Sequence, residues 1–479
     1  MGYSKVVRMS SRTPLRVGAA ATGLAVVSAL LLAPPAWSEP ADATDDGSAE
    51  GPAATVSGPV PVTDDSYPFM SADGPPAPPI EAGETVEVDL DAYGYVEEEF
   101  LLEGTAEHYD PATGEVTGSS PYTTRMVVRR PARTRDSSGT TFLEWNNVSF
   151  GQDIEIDWFL SNDYFMREGH VWVGLSAQRV GVDALRAWDA ERYGDLDVGG
   201  RELADAPAFD IYSEAARALR SPEGVDPLPG FDVDTVIATG HSQSARYLTG
   251  YHNAVHPAHG VVDGFMIHGA PGDLAEGTTP VMRLMAETDV RLRSQSEEPD
   301  SEYYRRWEVA GTAHVGFHEY LTFAPLIARE NPGTEPQRCD RPPLSRVPFH
   351  HVLNAAYDQM VDWIEDGTAP PAAPRLEWTD ATTPGRDEHG NRLGGIRLSE
   401  HEVATALNQG TNTGDPFCVL MGAHVPFTEE TLEEMYPRRG GYVWRVNRAV
   451  NDARHDGYLL TEDARVSRTA AVRTDHPWW

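Results

Sequence analysis

Between Thr140 and Val309 short apolar runs alternate with stretches whose apolar residues recur at helical spacing. This is the pattern of strands covered on both faces and joined by helices. Six runs are predicted as strands: Thr141–Trp145, His170–Ser176, Thr235–Thr239, Val261–His268, Val281–Met285 and Trp307–Val309. Helices are predicted at Asp157–Glu168, Ile211–Leu219, Ser242–Val255 and Val352–Glu365. Their interleaving specifies an α/β fold, a mostly parallel central sheet flanked by helices and connected by right-handed crossovers. Ahead of it, Thr85–Leu90 and Arg125–Val128 alternate with a period of two and are expected as antiparallel strands that open the domain.

The flanks differ in kind. Lys5, Arg8, Arg12 and Arg16 precede an apolar run from Val17 to Ala33 and the small-residue site Ala36, Trp37, Ser38, so residues 1–38 are expected to be a secretory signal peptide. Gly18, Gly23 and the Pro34, Pro35 pair leave that run short of the roughly 20 apolar residues of a membrane span. Residues 39–79, rich in Ala, Pro and Asp, have too few large apolar side chains to offset the entropy of ordering and are expected to be a linker. The α/β domain is then assigned to 80–370. A Pro- and Ala-rich connector opens an irregular C-terminal extension, 371–479, with an amphipathic segment near Gly441–Asp452.

Composition narrows the chemistry. With 38 basic and 74 acidic side chains the formal charge is −36, and losing the four basic residues of the leader takes it to −40. Such a chain repels phosphate backbones, so neither nucleic acid nor, after leader removal, a membrane is expected as a partner. Lys5 is the sole lysine, which excludes a Schiff-base lysine, a phosphate-loop lysine and a Ser–Lys pair. The two cysteines, Cys339 and Cys418, show no C-x-x-C spacing and are expected to form one disulfide in an oxidising compartment.

The segment Val236, Ile237, Ala238, Thr239, Gly240, His241, Ser242, Gln243, Ser244 runs from a buried strand through a tight turn into a helix. That context suits a serine hydroxyl held above a sheet as a nucleophile, with small residues two before and two after it. A serine needs a base to take its proton and a carboxylate to orient that base. Asp289, just past the predicted strand Val281–Met285, is assigned as the carboxylate, with Glu287 as the alternative. His314, on the small-residue loop Gly311, Thr312, Ala313, is assigned as the base ahead of His318, His350 and His351. The developing oxyanion needs two N–H donors. Gln243, first in the helix, supplies one, and the loop Asn146–Ser149 supplies the other, assigned to Val148. Gln178, at the tip of the strand His170–Ser176, is expected either to line the cleft or to serve as a turn amide. His252, His256 and His259 have a spacing that can ligate zinc but fit a solvated helix end better. The His318, Glu319 and His401, Glu402 pairs lack the second histidine of H-E-x-x-H, and no G-x-G-x-x-G follows a strand, so neither metal nor cofactor is expected.

These residues carry a resemblance. The chain resembles an α/β-hydrolase family of exported or bacterial proteins whose nucleophile segment reads G-[EH]-S-Q-S, with similar stretches spread over roughly Pro59 to Ala470. Ser244 stands where the G-x-S-x-G pattern has its second glycine. The order Ser242, Asp289, His314 is that of α/β-hydrolases. The resemblance implies hydrolysis of small-molecule carboxylic esters by those three residues through an acyl-enzyme. A lactonase or peptidase would use the same residues, and a hydrolase scaffold can persist as a silent binding protein of the cell envelope.

Overall fold

The structure is a computed structural model that describes residues 54–61, 88–330 and 337–474. Residues 1–38, expected to be a signal peptide, lie outside them. Ten strands form one sheet: β1 (Thr55–Ser57), β2 (Tyr95–Tyr109), β3 (Val116–Pro131), β4 (Thr140–Trp145), β5 (Val171–Leu175), β6 (Glu223–Gly224), β7 (Thr235–His241), β8 (Gly264–His268), β9 (Val281–Ala286) and β10 (Tyr304–Val309). Their order is β10-β9-β8-β7-β4-β5-β3-β2-β1-β6. From β10 to β5 every neighbour is parallel, whereas β5, β3, β2 and β1 pair antiparallel.

Each of the six predicted parallel strands is present within a few residues of its expected bounds. β4, β5, β7, β8 and β9 are buried along their whole length, which is why they read as unbroken apolar runs. Phe142 and Trp145, an odd number of residues apart on β4, serve opposite faces. Phe142 packs on Phe165 and Tyr357, from helices α1 (Ile156–Glu168) and α6 (Phe349–Asp366). Trp145 stacks on Tyr212 and meets Tyr247, from α3 (Ala208–Arg220) and α4 (Gln243–Ala254). Along the chain α2 (Arg179–Trp188) lies between α1 and α3, and α5 (Phe317–Glu330), after β10, lies between α4 and α6. The sheet is thus covered on both sides.

Two expectations change. Leu90 is not in a strand: Leu90–Tyr93 form a helical turn, because Asp89 caps it by accepting the Ala92 N–H at 2.9 Å. Residues 85–87 of that expected strand lie outside the described residues. Within the stretch 39–79 expected as linker, Thr55–Ser57 pair with Leu101–Glu103 of β2, Val56 being buried. A single apolar side chain and an edge with free hydrogen-bonding groups suffice for so short a strand. The other described residues of that stretch are only 54 and 58–61.

Beyond residue 370 the chain returns to the β10 edge. Ala310 donates to the Ile396 carbonyl at 3.0 Å and Ile396 to that of Glu308 at 2.7 Å. A small sheet of β11 (Ala406–Gln409) and β12 (Ala423–Pro426) follows, then the helices α7 (Arg439–His455) and α8 (Thr461–Arg473). Cys339 and Cys418 are disulfide-bonded, with Cα atoms 5.5 Å apart. No helix among the described residues is long and apolar enough to cross a membrane.

Candidate active site

The parallel strands end on one rim, and the candidate residues sit there. β7 delivers Ser242 between its last residue, His241, and the first residue of α4. Ser242 has φ 59° and ψ −110°, a left-handed region costly for a residue with a Cβ. Its neighbours maintain that turn. A Cβ on Gly240 would lie 3.0 Å from Ser244 Oγ and 3.1 Å from Leu248, so glycine there lets α4 approach the strand. Ser244 accepts the His241 N–H at 3.1 Å and donates to the His241 carbonyl at 2.9 Å. The residue that departs from the G-x-S-x-G pattern therefore ties both ends of the elbow.

His314 Nε2 is 2.7 Å from Ser242 Oγ, and His314 Nδ1 is 2.6 Å from Asp289 Oδ1. Ser242, His314 and Asp289 are only 7%, 8% and 6% exposed, so the pairs lie in a largely dry environment that strengthens them. Asp289 Oδ2 accepts the Ala286 N–H at 2.9 Å, which fixes the carboxylate with one oxygen toward the imidazole. Glu287 is committed elsewhere. It accepts the Gly311 N–H at 2.9 Å and pairs with Arg386 at 2.8 Å. It thus braces the start of the histidine loop at Gly311. Thr288 accepts the His314 N–H at 3.0 Å while donating to the Gly410 carbonyl. Sequence reasoning missed Arg386, Thr288 and Gly410 in these roles.

Behind His314 lies a second layer. His241 stands 4.4 Å from the His314 ring and 4.7 Å from that of His268. Burial, and next the adjacent imidazoles, push the His241 pKa well below the usual histidine range, so this ring is neutral. His268 Nε2 lies 2.5 Å from Asp157 Oδ1, which also accepts from Thr239 at 2.9 Å and from Tyr357. Gly269, at φ 70°, passes so near that a Cβ would fall 2.3 Å from His241 Nε2 and 3.2 Å from His314 Cε1.

The loop after β4 is pinned to the elbow. Asn147 Nδ2 donates to the His241 carbonyl at 2.9 Å, and its Oδ1 accepts the Ser149 N–H at 2.8 Å. This sets Val148 beside Gln243, and the Val148 N–H points to the Gln243 side-chain Oε1 at 3.3 Å. Gln243 opens α4, where backbone N–H groups lack helical acceptors and the helix dipole is positive. Gln178 is buried and accepts from Trp145 Nε1 at 3.1 Å and Gln243 Nε2 at 2.8 Å, so it belongs to this site and not to a turn.

The remaining candidates are placed apart. His318 and His350 stack on each other with centroids 3.8 Å apart, and His351 lies against His350. Burial lowers the His318 pKa to about 4. His252, His256 and His259 take separate partners: Asn253 at 3.0 Å, Thr279 at 2.8 Å, and Ser213 and Tyr109 at 2.6 and 2.9 Å. Among the described residues no group of three His, Cys, Asp or Glu is arranged to hold a metal ion.

No curated protein matches the chain. Similar solved structures include esterase Est22, with 11% identity, a TM-score of 0.27 and coverage of 41% of this chain and 68% of that one. A putative dienelactone hydrolase from Klebsiella pneumoniae subsp. pneumoniae MGH 78578 has 13% identity, a TM-score of 0.22 and coverage of 40% and 74%. XC6422 from Xanthomonas campestris, described as an a/b serine hydrolase without lid, has 12% identity, a TM-score of 0.28 and coverage of 49% and 97%. The profile described as alpha/beta hydrolase domain matches residues 56–469, and the chain belongs to that family.

Proposed function

We propose that this protein is an exported serine hydrolase that cleaves small carboxylic esters through an acyl-enzyme. The observation that carries the reading is the hydrogen-bonded series Ser242 Oγ, His314, Asp289 at 2.7 and 2.6 Å, hung on a strained turn at the rim of a parallel sheet. Ser242 Oγ attacks the ester carbonyl carbon and its proton passes to His314 Nε2. Asp289 accepts the Nδ1–H, which fixes the tautomer with a free lone pair on Nε2 and stabilises the imidazolium once formed. The oxyanion is received by the N–H groups of Gln243 and Val148. Collapse expels the alcohol, which takes the proton from Nε2. A water molecule, deprotonated by the same nitrogen, then attacks the acyl carbon and releases the acid and the serine. None of these steps requires a cofactor.

Ser242→Ala should lower turnover of short-chain p-nitrophenyl esters by at least ~10³-fold, since only donors and binding then remain, while leaving the melting temperature within a few degrees. Undiminished turnover in that variant would refute the assignment. Export rests on the basic n-region, apolar run and Ala36-Trp37-Ser38 site. N-terminal sequencing of protein secreted by an expressing culture should begin at Glu39, and a species retaining Met1 would contradict it.

A further inference from the structure

The proposed oxyanion donor Val148 already has an acceptor, and the hydrogen bonds around it dictate which atom that is. Asp205 sits at φ 61°, following Ala204 at φ 46°, two successive left-handed residues without a glycine. That costly backbone holds the Asp205 carboxylate so that it accepts the Arg179 N–H at 3.1 Å, the Tyr247 hydroxyl at 3.1 Å and Gln178 Nε2 at 3.2 Å. The Asp205 oxygens act here as acceptors, taking the Arg179 N–H and the Tyr247 hydroxyl, so the NH₂ of Gln178 must face them. At the other end, the Trp145 indole only donates, so Gln178 must present its oxygen there. With that oxygen also facing Gln243, the NH₂ of Gln243 must point to Gln178, and its Oε1 is left aimed at Val148. The orientation of both amides follows from groups that can act in only one sense.

We propose that the Gln243 side-chain carbonyl occupies the Val148 donor in the free protein and must be displaced by the ester oxygen, which makes Gln243 a gate on the oxyanion site. The proposal rests on the serine-hydrolase reading above. Its geometry fits a displaceable occupant: the contact to Val148 is long, 3.3 Å, whereas the anchor to Gln178 is 2.8 Å. The long bond breaks while the short one serves as a pivot. A substrate oxygen that acquires negative charge makes a stronger bond to the same N–H than a neutral amide does, so the exchange favours the transition state over the ground state.

The test uses a trifluoromethyl ketone, which adds reversibly to a serine and places its oxyanion where the intermediate's would lie. Gln243→Ala removes the competing oxygen, and Gln243→Met removes it while keeping the side chain's length. Both variants should bind the ketone about five-fold more tightly than wild type, the ratio that one neutral hydrogen bond of ordinary net strength makes. In ester turnover the change should appear as a lowered KM more than as an altered kcat. Weaker binding by both variants would overturn the proposal and make the amide a donor to the oxyanion, and unchanged binding by both would overturn it as well. If the wild type is not inhibited at all, the hydrolase reading falls and the gate with it. If wild type is inhibited, Ser242→Ala is not, and the Gln243 variants gain nothing, only the gate falls.

Discussion

Ser242, Asp289 and His314 are each predicted from a local signal at the end of a strand, a small-residue turn or loop for Ser242 and His314 and an acid just past the strand tip for Asp289, and the structure brings the three within hydrogen-bonding distance. The choice between Asp289 and Glu287 was not legible with certainty, since both follow β9 and their partners lie far along the chain. Glu287 meets Gly311 and Arg386, the latter 99 residues away. This division gives a paired test. Asp289→Asn should lower kcat by about 10³–10⁴-fold through loss of the correct imidazole tautomer, with little change in melting temperature. Glu287→Gln should do the reverse, costing roughly 1–3 kcal/mol of stability, as for a weakened charged hydrogen bond, with turnover reduced far less. Kinetics and thermal melts of the two variants would expose an exchanged assignment at once. Gly269 was equally illegible, because its neighbours His241 and His314 converge on it only in three dimensions. Gly269→Ala, at φ 70° and 2.3 Å from His241, should reduce kcat at least ~10-fold by shifting the base, since small displacements of reacting groups are costly.

Among elements, fully buried strands were the most legible, their apolar runs leaving little choice of state. The end of the Thr85–Leu90 stretch misled because period-two alternation over so few residues competes with a capping aspartate, and the cap at Asp89 prevails over Leu90. α5 was passed over because it begins directly after Gly316, which reads as loop, and because Glu319 interrupts its apolar face. Glu319 has a consequence of its own. Burial, and secondarily the Asp289 and Asp157 carboxylates, raise its pKa from 4.5 to about 8, so it is protonated in the folded protein at neutral pH. A carboxyl whose folded pKa is raised binds more protons folded than unfolded between those values. Its contribution is complete below pH 4.5 and is lost as pH rises through 8. Glu319→Gln should therefore gain stability relative to wild type between pH 6 and 9 in denaturant titrations, and a difference that stays constant across that range would contradict the assignment. The Cys339–Cys418 pair closes a loop of 79 residues. Cys339→Ser with Cys418→Ser should cost up to about 4.5 kcal/mol on the chain-entropy account, read from urea unfolding without reductant.

For the molecule as a whole, buried titratable groups oppose one another across pH. Burial raises Glu214 to about 7 and Asp153 to about 6, which, with Glu319, makes stability fall as pH rises toward 8. Burial lowers His170 to about 3 and His256, His259 and His318 to about 4, so the unfolded chain takes up more protons below pH 6.5 and stability falls there too. The melting temperature should accordingly peak near pH 6–7. With a formal charge of −36, added salt should raise it on the alkaline side by screening self-repulsion. A melting temperature still climbing at pH 9 would contradict these signs. The fold class was legible at this scale because alternation of elements survives any error in their bounds. The return of residues 372–398 to the β10 edge was not, since it depends on backbone bonds between distant segments.

Catalysis by this protein depends on one serine oxygen, that of Ser242, being perched, activated and accessible. The most direct test is labelling of the intact protein with a fluorophosphonate, followed by peptide mapping. A single adduct on Ser242 is expected, abolished by Ser242→Ala and greatly slowed by His314→Ala. An unlabelled native protein, or an adduct on any other residue, would contradict it.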